Sequence, residues 1–167
     1  HYTHRLPNKM EWANRLEFGI GIPYNNSKLL PFSKQYNIGG ASSIRGFSTR
    51  TLGPGTYKPT PQDQRVFQII GGDFRLLANT ELRIPLNNLF STAVFLDPGN
   101  IWTKDTIIFG PKSKLTKDFL KEIAVAGGVG LRVDVTFLLI RLDLGIPFRK
   151  PYLPEGERWV LNKFDFG

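Results

Sequence analysis

The chain contains no cysteine, and its only two histidines are His1 and His4. Without cysteine there is no disulfide, no thiolate nucleophile and no cysteine-ligated metal. A serine hydrolase needs a histidine beside its nucleophile, and no histidine follows the fourth residue. We therefore expect no catalytic residue, no metal and no cofactor, and we expect that the chain is not an enzyme.

Long apolar runs are also missing, since no stretch of 18 apolar residues occurs. This excludes a transmembrane helix. Acidic residues are in deficit, with 14 Asp and Glu against 22 Lys and Arg, a formal charge of +8. Such a balance suits nucleic acid, anionic lipid or a solvated rim. Because the basic residues are dispersed and not interleaved with aromatic residues on one face, we expect no nucleic-acid partner.

What the sequence does contain is apolar and polar residues in strict alternation. From Glu11 onward, Trp12, Leu16 and Phe18 share one face of a predicted strand, and the other face is charged or tiny. A period of two predicts strands with two very different sides. The polar, irregular residues 1–10 receive no element. Six antiparallel strands are predicted in all: 11–22, 73–84, 91–99, 122–134, 140–146 and 158–167.

The lengths of the predicted connections distinguish two all-β architectures. A soluble β-sandwich shows the same alternation but does not explain alternating short and long loops. Solubility without detergent would identify such a sandwich. A transmembrane β-barrel has short turns on one side and longer loops on the other. Trp12, Trp102 and Trp159 lie near predicted strand ends, as interfacial aromatic residues do. The connections are long (23–70), short (87–90), long (101–120), short (135–138) and medium (148–157).

Six strands are too few to close such a barrel, since the smallest bacterial examples have eight. An open edge in lipid would leave backbone groups unpaired. We therefore predict an antiparallel transmembrane β-barrel of which residues 1–167 form the C-terminal part.

The connection 23–70 carries a distinctive motif. Its glycines Gly39, Gly40 and Gly53 fit positions of positive φ or close backbone approach. Between them stands Ile44-Arg45-Gly46-Phe47, with a single cation in the middle. On its own, this tetrapeptide is more typical of an ordinary solvent-exposed loop with a stray arginine.

Four motifs in order resemble the bacterial surface-antigen family of outer-membrane assembly and translocation barrels, of BamA and TamA type. The resemblance implies the last six strands of a sixteen-stranded barrel, with the sixth extracellular loop folded into the lumen. It also implies ten earlier strands and periplasmic polypeptide-transport-associated (POTRA) domains. The motifs are Ser43-Ile44-Arg45-Gly46-Phe47, Asn79-Thr80-Glu81-Leu82-Arg83, Phe95-Leu96-Asp97-Pro98-Gly99 and Arg141-Leu142-Asp143.

Glu81 and Asp97 fall on the charged faces of their strands and should point into the lumen. A guanidinium presents five donors in a planar fork, so Arg45 can bridge both carboxylates. We expect Arg45 to fasten the loop, Gly46 to allow close approach and Phe47 to wedge against the wall. The alternative pairs these carboxylates with the lumenal cations Arg83, Arg132 and Arg141 only. Glycosidase chemistry by the two carboxylates is a weaker interpretation in such basic surroundings.

The resemblance implies that the last predicted strand forms a weak seam with the first strand of the barrel. An opened seam exposes edge groups that can template another strand. Its alternation is ragged and it ends in glycine. The seam residues are Val160, Asn162, Phe164 and Phe166.

The resemblance implies an outer-membrane protein that inserts or translocates β-barrel proteins. A two-partner-secretion transporter and, less well supported, a passive diffusion porin remain as alternatives. Expected partners are unfolded barrel clients, periplasmic or lipoprotein assembly subunits, outer-membrane lipid and lipopolysaccharide. The cations expected near lipopolysaccharide phosphates are Lys104, Lys112, Lys114, Lys117, Lys121, Arg149 and Lys150.

Overall fold

A computed structural model describes residues 1–23, 30–58, 60, 71–135 and 137–161 as one antiparallel sheet whose strands follow the chain in order. Among these residues, no helix is long and apolar enough to cross a membrane. The strands are β1 (Tyr2–Arg5), β2 (Glu11–Ile20), β3 (Phe74–Pro85), β4 (Phe90–Trp102), β5 (Ala124–Val135) and β6 (Leu138–Arg149). Short 3₁₀ helices span Pro7–Lys9, Phe32–Lys34, Pro111–Ser113 and Phe119–Glu122. The predicted all-β antiparallel fold is confirmed.

The register lines up side chains of one kind on each face of the sheet. On the outer face, one row crosses five strands through Trp12, Leu82, Val94, Val129 and Leu144. These side chains are apolar, and four of them are roughly half to two-thirds exposed. Because strand side chains alternate between faces, the neighbouring row must face inward. That inner row runs through Ala13, Glu81, Phe95, Gly128 and Gly145.

The structure changes the expectations for the two ends of the chain. Residues 1–10 were expected to be irregular, yet Tyr2–Arg5 forms β1, paired with β2 from Tyr2↔Asn14 to Arg5↔Glu11. All four residues of β1 are exposed and lack alternation, so backbone pairing alone makes this strand. Of the predicted strand 158–167, the described part contributes one isolated bridge, from Trp159 to Arg149. Residues 162–167 lie outside the described residues.

The strand boundaries also shift. Whereas 91–99 and 140–146 were predicted, β4 and β6 are longer, with β5 ending at Val135 and β6 beginning at Leu138. Pairing with β5 reaches Gly99, and pairing with β3 alone continues β4 to Trp102.

The core of the structure lies between the inner face and the connection from β2 to β3. Buried Ile38, Ile44, Phe47 and Leu52 from this connection pack on the sheet. Tyr36 enters the sheet through two hydrogen bonds with Gly72, of 2.9 and 2.8 Å. The sheet side of this core consists of Leu77, Ile101, Ala124 and Ala126.

The orientation of the sheet in the membrane can be tested with single cysteines, since the chain has none of its own. Lys114 and Asn88 are both exposed, in the long connection after β4 and the short turn after β3. Long connections face the cell surface in such barrels. A membrane-impermeant maleimide on intact cells should label Lys114→Cys and leave Asn88→Cys unlabelled until the cells are permeabilised. Equal labelling of both in intact cells would contradict this orientation.

Candidate functional site

Arg45 of the loop is clamped by Asp97 of β4. Its Nε lies 2.7 Å from Asp97 Oδ2 and its Nη2 lies 2.9 Å from Asp97 Oδ1, a bidentate pair. The backbone N–H of Arg45 also donates to Oδ2, at 3.1 Å. Asn79 of β3 donates to Oδ1 at 2.7 Å, so each oxygen of this fully buried carboxylate accepts two hydrogen bonds. Such charge-assisted, paired bonds fix orientation as well as position.

Two further carboxylates complete the surroundings of the Arg45 guanidinium. Its Nη1 lies 2.6 Å from Glu81 Oε2 on β3 and 3.4 Å from Asp143 Oδ2 on β6. Arg132 on β5 bridges these same carboxylates, with 2.7 Å to Glu81 and 2.9 Å to Asp143. The loop is therefore tied through one network to four consecutive strands, β3 to β6.

The guanidinium is buried but fully partnered. Arg45 is 7 % exposed, and its carbon Cζ lies 3.5 Å from the centre of the Phe95 ring, within cation–π range. Burial alone disfavours its charge, but hydrogen bonds and attraction from Asp97 and Glu81 outweigh burial and raise the pKa of Arg45 above its usual value. Arg45 therefore stays charged in this buried site.

The backbone next to Arg45 lies directly against β6. Gly46 has φ +93°, and a Cβ placed on it would lie 2.9 Å from the backbone N and C of Ile146. A Cβ on Gly145 would lie 2.8 Å from the Gly46 nitrogen. Two glycines thus face each other where loop and strand touch. The buried Phe47 packs in the apolar core, as its expected wedge role requires.

The turn that precedes Arg45 is held by side chains of the wall. Three consecutive backbone carbonyls, those of residues 41–43, accept hydrogen bonds from separate strands. Arg141 donates to Ala41 O at 3.0 Å, Arg15 to Ser42 O at 3.0 Å and Asn79 to Ser43 O at 2.8 Å. The predicted loop glycines have positive φ, namely +100° for Gly39, +87° for Gly40 and +75° for Gly53.

A second anchor holds the later part of the loop. Asn100 of β4 is fully buried, and its Nδ2 donates to Gly55 O at 2.9 Å. Gly55 N donates to Ile101 O at 2.7 Å, and Thr56 N donates to Lys112 O at 2.9 Å. The loop is therefore joined to the connection between β4 and β5 as well as to the strands.

Sequence reasoning brought together Arg45, Glu81 and Asp97, and the structure places all three in contact. The alternative pairing is present at the same time, since Glu81 also contacts Arg83 and Arg132. Four partners were missed: Asn79, Phe95, Asn100 and Asp143. Three of them could have been found from the sequence. Phe95, Asn79 and Asp143 alternate in phase with the predicted inward-facing carboxylates.

The predicted seam is described only in part. Val160 is buried, and its backbone N–H donates to Phe148 O at 2.9 Å. Asn162, Phe164 and Phe166 lie outside the described residues. Their role stays a prediction.

A sequence profile described as the Omp85 superfamily domain matches residues 2–165, nearly the whole chain. The chain belongs to the Omp85 superfamily. It is 30 % identical over 170 residues to the outer membrane protein assembly factor BamA of Neisseria meningitidis serogroup B. That match covers 90 % of this chain and 20 % of the relative. The chain thus spans about a fifth of the length of this relative.

A solved structure supports the same fold. The crystal structure of BamA from Haemophilus ducreyi lacking POTRA domains 1–3 superposes with a TM-score of 0.56 at 22 % identity. The likeness covers 87 % of this Omp85 chain and 33 % of the crystallised chain. The expected recognition is confirmed: this is an antiparallel part of an outer-membrane β-barrel.

Removing the charge of Arg45 should destabilise the barrel more than removing the charge of Asp97. Among the described residues, Asp97 contacts Arg45 and Asn79, whereas Glu81 keeps Arg83 and Arg132 when Arg45 is lost. Arg45→Ala should destabilise the barrel by up to about 3–5 kcal/mol, the range for a broken buried pair, and Asp97→Asn by less.

Double-mutant cycles in urea unfolding from lipid vesicles measure the coupling. We expect more than about 0.5 kcal/mol between Arg45→Ala and Asp97→Ala, and a smaller value between Arg45→Ala and Glu81→Ala. Strictly additive effects of Arg45→Ala and Asp97→Ala would show that the contact carries no coupling energy.

Gly46 offers a matched test of close approach. Gly46→Ala and Gly156→Ala impose alanine at nearly the same φ, +93° and +96°, but a Cβ at Gly156 has no atom within 4 Å. Both variants should bear the strain of positive φ, on the order of 1 kcal/mol. Gly46→Ala should unfold at clearly lower urea concentration, because its Cβ overlaps the Ile146 backbone. Equal midpoints would mean that φ alone selects glycine at position 46.

Proposed function

We propose that the full protein containing this chain is a non-enzymatic outer-membrane assembly factor that inserts β-barrel proteins. The observation that carries the proposal is the Arg45 network, which holds the loop on the inner face of four strands. The identity to an assembly factor over most of the chain supports the same function. The remaining strands, the POTRA domains and a barrel of sixteen strands are part of this proposal.

The network bears on function through what it occludes and what it stiffens. A passive porin needs an open lumen, whereas here the loop packs an apolar core on the inner face. Four strands tied through Arg45, Arg132 and their carboxylates resist separation from one another. We infer that opening of the wall to admit a client strand occurs outside β3–β6.

The clients would be unfolded β-barrel proteins, which present strands with unpaired backbone groups. In lipid each unpaired group costs several kcal/mol, so pairing these groups before the client leaves the assembly factor lowers the free energy of insertion. Periplasmic or lipoprotein subunits would deliver these clients.

Reconstitution tests the proposal. The full-length protein in liposomes should accelerate insertion of an unfolded barrel client, measured by its protease-resistant fraction over time. Arg45→Ala should slow insertion by at least about tenfold, which needs only about 1.4 kcal/mol. Lys112→Ala, which removes an exposed cation from the loop after β4, should behave as the wild type.

Three outcomes would contradict different parts of the proposal. If the folded wild-type protein leaves client insertion at the lipid-only rate, it is not an insertase. If it then exports a soluble polypeptide to the surface, the secretion transporter is the correct function. Normal insertion by a folded Arg45→Ala variant would remove the network from the mechanism.

A further inference from the structure

An apolar groove lies on the outer face of the sheet, at the end where β2 and β4 finish and β3 begins. It has a volume of about 590 Å³, within the range of small-ligand sites. Part of its lining comes from the connection between β4 and β5, which begins after Trp102 at the end of β4. Six apolar side chains line the groove: Phe18, Phe74, Leu76, Trp102, Leu115 and Phe119.

The wall of the groove is rigidly built. The Trp102 indole N–H donates to Glu122, and its ring meets the Phe119 ring edge-on at 6.0 Å. Leu115 N donates to Thr103 O at 3.1 Å, which fixes the covering segment beside the end of β4. The groove therefore exists before any ligand enters, and binding pays little ordering entropy.

The groove is lined by two basic residues. Arg75 pairs with Glu17 at 3.0 Å, whereas Lys117 is exposed and makes no ion pair within the described part of the chain. The neighbouring acidic groups are engaged elsewhere: Asp118 pairs with Lys121 at 2.9 Å, and Glu122 accepts from Trp102. An apolar channel with an ammonium group at its mouth is complementary to an acyl chain that ends in an anionic headgroup.

We propose that this groove is a binding site for lipid A, the phosphorylated and acylated lipid of the outer leaflet. One acyl chain lies along Phe18, Trp102 and Phe119, and a phosphate contacts Lys117. The groove opens on the lipid-facing side, at the end of the strands assigned to the cell surface. The proposal rests on this orientation and on the membrane location, and it is independent of whether the protein inserts clients.

Native mass spectrometry of the detergent-solubilised full-length protein tests the site. The probes are bis-phosphorylated lipid A, dephosphorylated lipid A and phosphatidylcholine. We expect one tightly held bis-phosphorylated lipid A per protein and weaker binding of the other two lipids. Lys117→Glu should weaken lipid A binding by at least about fivefold, the effect of one basic residue at an anionic surface. Lys112→Glu makes the same charge change outside the groove and should bind as the wild type.

A filling substitution tests the apolar part. Leu76→Trp should abolish the tight binding, whereas Leu144→Trp, which enlarges a leucine on the outward face of β6, should leave it intact. Retention of the tight lipid by folded Leu76→Trp would overturn the site, as would equal wild-type binding of the phosphorylated and dephosphorylated lipids. If Leu76→Trp does not fold, the lysine pair decides: equal affinity of Lys117→Glu and Lys112→Glu would overturn the proposal.

Discussion

The bidentate contact between Arg45 and Asp97 determines where the long loop lies. A buried guanidinium cannot release its proton, so it needs carboxylates, and a buried carboxylate needs donors. The wall supplies three carboxylates from three strands, and the loop supplies one cation at one position. Displacing the loop by a single residue would bury an unpaired charge on both sides. The network therefore selects one register out of the many that an apolar surface alone would tolerate.

The adhesion of the loop has a different source. Replacing buried ion pairs by packed apolar residues is often neutral in stability, so ion pairs add specificity more than affinity. Fully buried Ile38, Ile44 and Leu52 each contribute about 1.5–3 kcal/mol by leaving water. A Cβ on Gly99 would lie 3.2 Å from the side-chain ends of Ile38 and Ile44, which shows how closely these residues meet the wall. Apolar burial holds the loop, and charge decides its position.

Much of this arrangement could be predicted because its signals are local. Alternation over seven or more residues identified β2 to β6 and sorted Glu81 and Asp97 onto the inner face. The strand β1 was not predicted, because its four residues carry no alternation and their extended conformation depends on pairing with β2. Phe95, Asn79 and Asp143 shared the inward period, but only the path of the loop brings them to Arg45. The anchoring role of Asn100 could not be predicted, because its side chain donates to backbone carbonyls, and every residue type has a backbone carbonyl.

The two faces of the sheet follow from one constraint on strands in a membrane. Every second residue meets lipid and must be apolar, which leaves only the alternate positions for charge and for close packing. Gly128 and Gly145 occupy such positions, and they clear the space in which Phe95 and the Arg45 backbone lie. At the end of the strands where β4 finishes, Phe119 of the following connection packs edge-on against Trp102. The polar network and the apolar groove thus lie on opposite faces of the sheet and share the strands β3 and β4.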